Sequence, residues 1–206
     1  ESYRLDSLER FFEGDAADPR WRAEPLLIPD NIENQWYRTH PLEQIRWTKE
    51  KNQHCNGHYV NVVKAIKWWR RLELPNLKYP KSYPLEHFVG DCCPDGITSV
   101  AEGIVGTLEC IARNHPQKPF LADRGVPEHD VFELLSDEDY NIFYEAACRG
   151  ARLARTAYDS SDIEESVKLW RSFFNDCDEF PSYHGKPGGF TPRTQESTYV
   201  PVGRFG

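Results

Sequence analysis

Methionine does not occur among the 206 residues. A natural reading frame opens on methionine, so a chain beginning at Glu1 is expected to be part of a longer protein. No run approaches the roughly 20 apolar residues of a membrane span. The first twenty residues are charged throughout and carry no signal-peptide pattern. The six cysteines (Cys55, Cys92, Cys93, Cys110, Cys148 and Cys177) are scattered and include no Cys-x-x-Cys pair. Free thiols in a reducing cytosol are the simplest reading, and a cytoplasmic location is expected. Net charge is -8, which argues against the broad basic footprint of nonspecific nucleic-acid binding. A local cationic site for a small phosphorylated ligand is still open, because such a site depends on nearby charges. There is no P-loop, no G-x-G-x-x-G and no G-x-S-x-G. Nor does a Gly-Ser motif followed by a paired Asp-x-Asp occur.

Apolar residues make up 39% of the chain and aromatics 13%, enough to build the core of one substantial domain. Residues 1–35 mix a short helical stretch, Asp6 to Phe12, with loops. Pro25-Leu26-Leu27-Ile28-Pro29 is apolar and bracketed by prolines, and reads as an edge strand or extended segment. Thr39 before Pro41 gives a hydroxyl cap to a helix over 41–51, and Cys55-Asn56-Gly57 a turn. The clearest helix spans 58–73, with Tyr59, Val62, Ile66 and Trp69 on one face and Lys64, Lys67 and Arg71 opposite. Leu74–Pro84 carries three prolines and is a connection. Residues 85–93 read as helix and Pro94-Asp95-Gly96 as a turn. Ser99 to Glu102 forms a capping box for a helix to about Arg113. After a loop over 115–130, a long helix is expected from Asp137 to Tyr158. A second capping box, Ser161 to Glu164, opens a helix to about Asn175. Residues 181–206 hold four prolines and five glycines without helical period, and read as an extended or disordered tail. Three regions follow: a connection over 1–40, a helical domain over 41–180 and a tail over 181–206.

Four sets of residues could carry chemistry. Lys64, Lys67 and Arg71 offer several positive donors on one helix face, as a polyphosphate requires; the same spacing also describes an ordinary solvated face. In Lys81-Ser82-Tyr83-Pro84-Leu85-Glu86, a hydroxyl can bond phosphate and a ring can stack on a base; a loop tyrosine packed on the core is the alternative. His87, Cys92, Cys93 and Cys110 are zinc-ligand types, but their spacing is poor and buried free thiols are expected, with no metal assigned. Asp91, Asp95, Asp137, Glu138 and Asp139 look like turn formers and first-turn helix acids rather than a metal centre.

Three stretches, in order and at matching spacing, resemble the bacterial cGAS/DncV-like nucleotidyltransferases (CD-NTases). They are Ile28-Pro29-Asp30 through Trp36-Tyr37-Arg38-Thr39-His40-Pro41, then Val62-Val63-Lys64-Ala65-Ile66-Lys67-Trp68-Trp69, then Lys81-Ser82-Tyr83-Pro84-Leu85-Glu86-His87. Residues 123–175 are similar to the family's later helices more loosely. The resemblance implies a mainly α fold, the helical lobe of the cGAS and oligoadenylate-synthetase type, with a short extended N-terminal segment and a flexible C-terminal tail. It implies that Lys67 contacts the donor triphosphate, Ser82 touches phosphate, Tyr83 stacks on a nucleobase and Lys64 is an accessory contact. The full enzyme would condense ATP with ATP or GTP, using Mg²⁺, into a cyclic di- or trinucleotide messenger of anti-phage (CBASS) defence. The family's catalytic carboxylates have no counterpart here, so no catalytic residue is assigned and this chain alone is expected to be inactive. A partner resembling ubiquitin-activating and ubiquitin-conjugating enzymes would engage the tail at Arg204, Phe205 and Gly206. The competing reading is a helical adaptor with a recognition tail and no nucleotide role; a zinc-stabilised module is a third.

Overall fold

The structure, a computed structural model, describes residues 25–30 and 35–178. The expected helical stretch Asp6 to Phe12 and the tail over 181–206 lie outside them. Two short strands, β1 (Leu26–Asp30) and β2 (Gln35–Thr39), form an antiparallel ribbon that pairs Leu26 with Thr39 and Ile28 with Tyr37. Six helices follow: α1 (Pro41–His54), α2 (Tyr59–Glu73), α3 (Ser82–Cys92), α4 (Val100–Asn114), α5 (Asp137–Asp159) and α6 (Ile163–Phe173). The mainly α architecture with a short extended N-terminal segment is therefore as expected.

The core gathers around α2, α4 and α5. Tyr59, Val62, Ile66 and Trp69, the predicted apolar face of α2, are all buried. They meet Leu108 and Ile111 of α4 and Phe143 of α5 within one continuous cluster. Removing these side chains from water supplies the main drive for packing. Beyond Tyr140 and Phe143 the buried face of α5 is built of small residues, Ala146, Ala147, Gly150, Ala151, Ala154 and Ala157, which let α4 and α6 approach closely. The adjacent tryptophans of α2 hold the end of α6: Trp69 stacks on Phe173 at 5.7 Å and Trp68 on Phe174 at 4.7 Å.

Several helix ends differ from expectation, each for a local reason. The cap of α1 is His40, whose Nδ1 accepts the Glu43 N–H at 3.3 Å, because Thr39 is still paired in β2. Helix α3 begins at Ser82 rather than 85. Pro84 falls in its first turn, where a missing N–H costs nothing. Ser99 caps α4 as expected, accepting from Glu102 N–H at 3.1 Å. The returning carboxylate of that box binds the N–H and hydroxyl of Thr98 instead. Asp162, not Ser161, caps α6, accepting from the N–H groups of both Glu164 and Glu165. That helix stops at Phe173, where Asn175 and Asp176 turn to positive φ.

Candidate functional site

The ends of α2 and α3 and the connection between them enclose a cavity of about 880 Å³, the size range of small-molecule sites. Helix α2 contributes Lys67, Trp68, Arg70 and Arg71. The connection contributes Lys78, Tyr79, Pro80 and Lys81, and the start of α3 contributes Ser82, Tyr83, Pro84 and Leu85. Val131, Phe132, Leu134 and Leu135, from the segment before α5, supply apolar surface. Among the described residues, five basic ones thus line this cavity and no acidic one does.

The basic residues are held by different means. Lys67 Nζ donates to Glu86 Oε2 at 2.8 Å, a half-buried pair that bridges α2 and α3. An ammonium has three donors, so this pairing fixes the chain while leaving it able to donate further. Arg70 donates to the Leu77 carbonyl, pinning the connection to α2, and its buried Nε has no partner. Lys78 and Lys81 lie against the ring of Tyr79, their Nζ atoms 5.3 and 5.2 Å from its centroid, so their charges are held near each other despite mutual repulsion.

Helix α3 adds a polar element. Its N-cap, Lys81, offers no side-chain acceptor, so the N–H groups of Ser82 and Tyr83 lack an intrahelical partner. Free amides and the positive end of a helix dipole favour an anion there. Tyr83 is 41% exposed. Its hydroxyl donates to Asp123 Oδ2 at 2.5 Å. Burial, and then the Asp123 carboxylate, push its pKa up, so the phenol stays protonated and the ring pinned. Next to Asp123, Arg124 stacks on Trp47 at 3.3 Å from the ring centroid and pairs with Asp91 at 2.7 Å, tying the segment after α4 to α3 and α1.

The sequence-selected residues separate into groups. Lys67, Arg71, Ser82 and Tyr83 converge on the cavity; Lys64, exposed three residues before Lys67, does not line it. Arg70, Lys78 and Tyr79 escaped sequence reasoning, although Lys78-Tyr79-Pro80-Lys81 is itself a basic–aromatic signal. Cys92 and Cys93 are buried free thiols, and Cys110 is a half-buried one. Asp137, Glu138 and Asp139 do occupy the first turn of α5, and Asp95 a turn where it pairs with Lys51 at 2.6 Å. Asp91 belongs to α3, within the helix expected over 85–93. Mg²⁺ calls for converging oxygen ligands; among the described residues no cluster of three carboxylates occurs, so these residues do not fit a Mg²⁺ site. Arg204, Phe205 and Gly206 lie outside the described residues. No described helix is long and apolar enough to cross a membrane.

Comparison with known proteins places the fold first. The chain superposes on CdnC of E. coli MS115-1, from its structure with ATP, with a TM-score of 0.59 at 16% identity, covering 77% of this chain and 56% of that one. CdnC in a complex with HORMA-deltaN matches equally, with a TM-score of 0.59 over 78% of this chain and 56% of the other. Sequence comparison is closer. A probable cyclic AMP-AMP-GMP nucleotide synthase of Salmonella paratyphi B is 47% identical over 93% of this chain and 52% of its own length. The cyclic AMP-AMP-GMP synthase of Enterobacter hormaechei subsp. hoffmannii is 44% identical over the same shares. The cyclic AMP-AMP-AMP synthase of an Acinetobacter strain is 32% identical over 70% of this chain and 44% of its length. No family model matches. The chain belongs to the CD-NTase family of cyclic oligonucleotide synthases, and spans about half the length of the curated relatives it matches.

Proposed function

We propose that the basic cavity grips the triphosphate and base of ATP or GTP in a synthase that condenses them into a cyclic di- or trinucleotide. Lys67 and Arg71 meet phosphate oxygens, and Ser82 adds a hydroxyl and a backbone amide. The pinned ring of Tyr83 stacks on the base beside the apolar surface of residues 131–135. Lys64 enters only as accessory charge. The observation that carries this reading is the convergence of Lys67, Arg71, Lys78 and Lys81 on one cavity, together with the uncapped start of α3. Among the described residues, five cations and no acid line a cavity of a chain whose net charge is -8. Such a local reversal of sign is costly unless an anion neutralises it. Two further facts support the reading: three relatives are named as cyclic nucleotide synthases, and CdnC was solved with ATP.

The chemical step would belong to residues other than those described, with Mg²⁺ held there. This part would contribute positioning and charge neutralisation. A protein partner belongs to the same proposal, since CdnC was solved in complex with HORMA-deltaN.

Titration calorimetry with ATP tests the nucleotide reading. The chain should bind ATP. Lys67→Ala should weaken binding by about tenfold or more, the worth of one charge-assisted hydrogen bond, while Lys64→Ala should change it little. A folded chain with no affinity for ATP or GTP would support the adaptor reading instead.

A further inference from the structure

Away from the cavity, where α3 and α4 end, three potential ligands meet: Cys92 and Cys110, which the sequence had set beside His87 and Cys93, and His115, which it had not. Cys92 is the last residue of α3, Cys110 lies in the C-terminal part of α4, and His115 is the C-cap of α4. Their ligand atoms all lie within 4.8 Å of one another. In a tetrahedral zinc site, Zn–S bonds of about 2.3 Å and Zn–N bonds of about 2.0–2.1 Å place neighbouring ligand atoms about 3.6–3.8 Å apart. The three groups therefore need to close by about 1.2 Å or less. His87 and Cys93, the other zinc-type residues of the sequence, are not in the cluster.

We propose that Cys92, Cys110 and His115 bind one zinc ion, with water in the fourth position. Two thiols and an imidazole form a soft and borderline donor set that selects zinc over magnesium or calcium. Each thiol gives its proton to the buffer as it becomes a thiolate ligand. The backbone favours a cation at this point, because α3 and α4 both bring their C-terminal, negative ends here. The imidazole is already positioned: its ring packs edge-on to Phe88 at 5.0 Å, and its backbone carbonyl accepts the Tyr140 hydroxyl at 2.7 Å. Cys92 is buried, whereas Cys110 and His115 are half-buried, which leaves a solvent side for the fourth ligand. The ion would clamp the end of α3 to α4, and so steady the helix whose other end presents Ser82 and Tyr83. This inference does not depend on nucleotide binding, and its test uses none.

The test takes the full chain, purified under a phosphine reductant without chelator. Elemental analysis should find about one zinc per chain. After zinc removal, Co²⁺ should produce thiolate-to-cobalt charge transfer and the intense visible bands of a tetrahedral ion. Cys110→Ser and His115→Ala should each weaken Co²⁺ binding by more than about tenfold, and Cys177→Ser should leave it intact. These half-buried positions carry the test even where the buried Cys92→Ser fails to fold. The proposal is overturned by a folded, reduced chain that takes up no zinc and gives no charge-transfer band. It is equally overturned by Co²⁺ binding that survives both variants, or by a Cys92–Cys110 disulfide that persists in reductant.

Discussion

His87 is the most tightly constrained ionisable side chain of α3. It is 2% exposed, and neither ring nitrogen has a hydrogen-bond partner among the described residues. Burial, and then the Arg124 guanidinium, lower its pKa to about 4; Asp123 opposes the shift, and Asp91 lies 3.8 Å from Nδ1. The folded state therefore keeps this imidazole neutral where the unfolded chain, at an ordinary value near 6.5, would protonate it. The unfolded state then binds more protons between those values, so stability falls as pH drops from about 6.5 toward 4. Between pH 7 and pH 5 this single group should cost about 2 kcal/mol. Urea unfolding at the two pH values should reveal that loss, and His87→Phe should remove most of it. An unchanged pH slope in the variant would show that His87 is not the group responsible.

Helices were far more legible than their ends or their partners. The 3.6-residue period of α2 is carried by large apolar residues, and burial followed the pattern at Tyr59, Val62, Ile66 and Trp69. Caps depend on which of two adjacent polar residues is free to turn. Thr39 was committed to a strand and His40 was not, and no periodicity records that. The cavity was half legible for a related reason. Lys67, Arg71, Ser82 and Tyr83 stand in patterned stretches, but residues 131–135 reach the cavity only through the fold. His115 was missed as a companion of Cys92 because their proximity follows from the packing of α3 on α4. The packing of α2 on α4 has its own test at Gly103, where a Cβ would stand 2.4 Å from Val62 Cγ2 and 2.7 Å from Ile97 Cδ1. Alanine is favoured in a helix by about 1 kcal/mol, yet overpacking costs about 1–3 kcal/mol. Gly103→Ala should therefore destabilise the fold by about 1 kcal/mol in chemical denaturation, and a gain in stability would show that α2 and α4 pack less closely.

The exposed apolar ribbon contributes no described residue to the cationic cavity. On the ribbon, Leu27 is 61% exposed and Trp36 66%, and a two-stranded ribbon has little stability by itself. It is joined to the segment between α4 and α5 through the Arg38–Glu128 pair at 2.6 Å and an edge contact between Tyr37 and His129. The relatives are about twice as long as the match, and an apolar ribbon is a suitable surface for further protein to cover. The cavity, by contrast, is lined by residues of α2, α3 and the segments beside them. Hydrogen–deuterium exchange of the chain with and without ATP therefore bears hardest on the account. It predicts that ATP slows exchange in peptides spanning residues 64–71 and 78–86, with little change in β1, β2 or α6. Protection centred elsewhere, for example around Glu109 and Arg155, or saturating ATP with no protection at all, would contradict it.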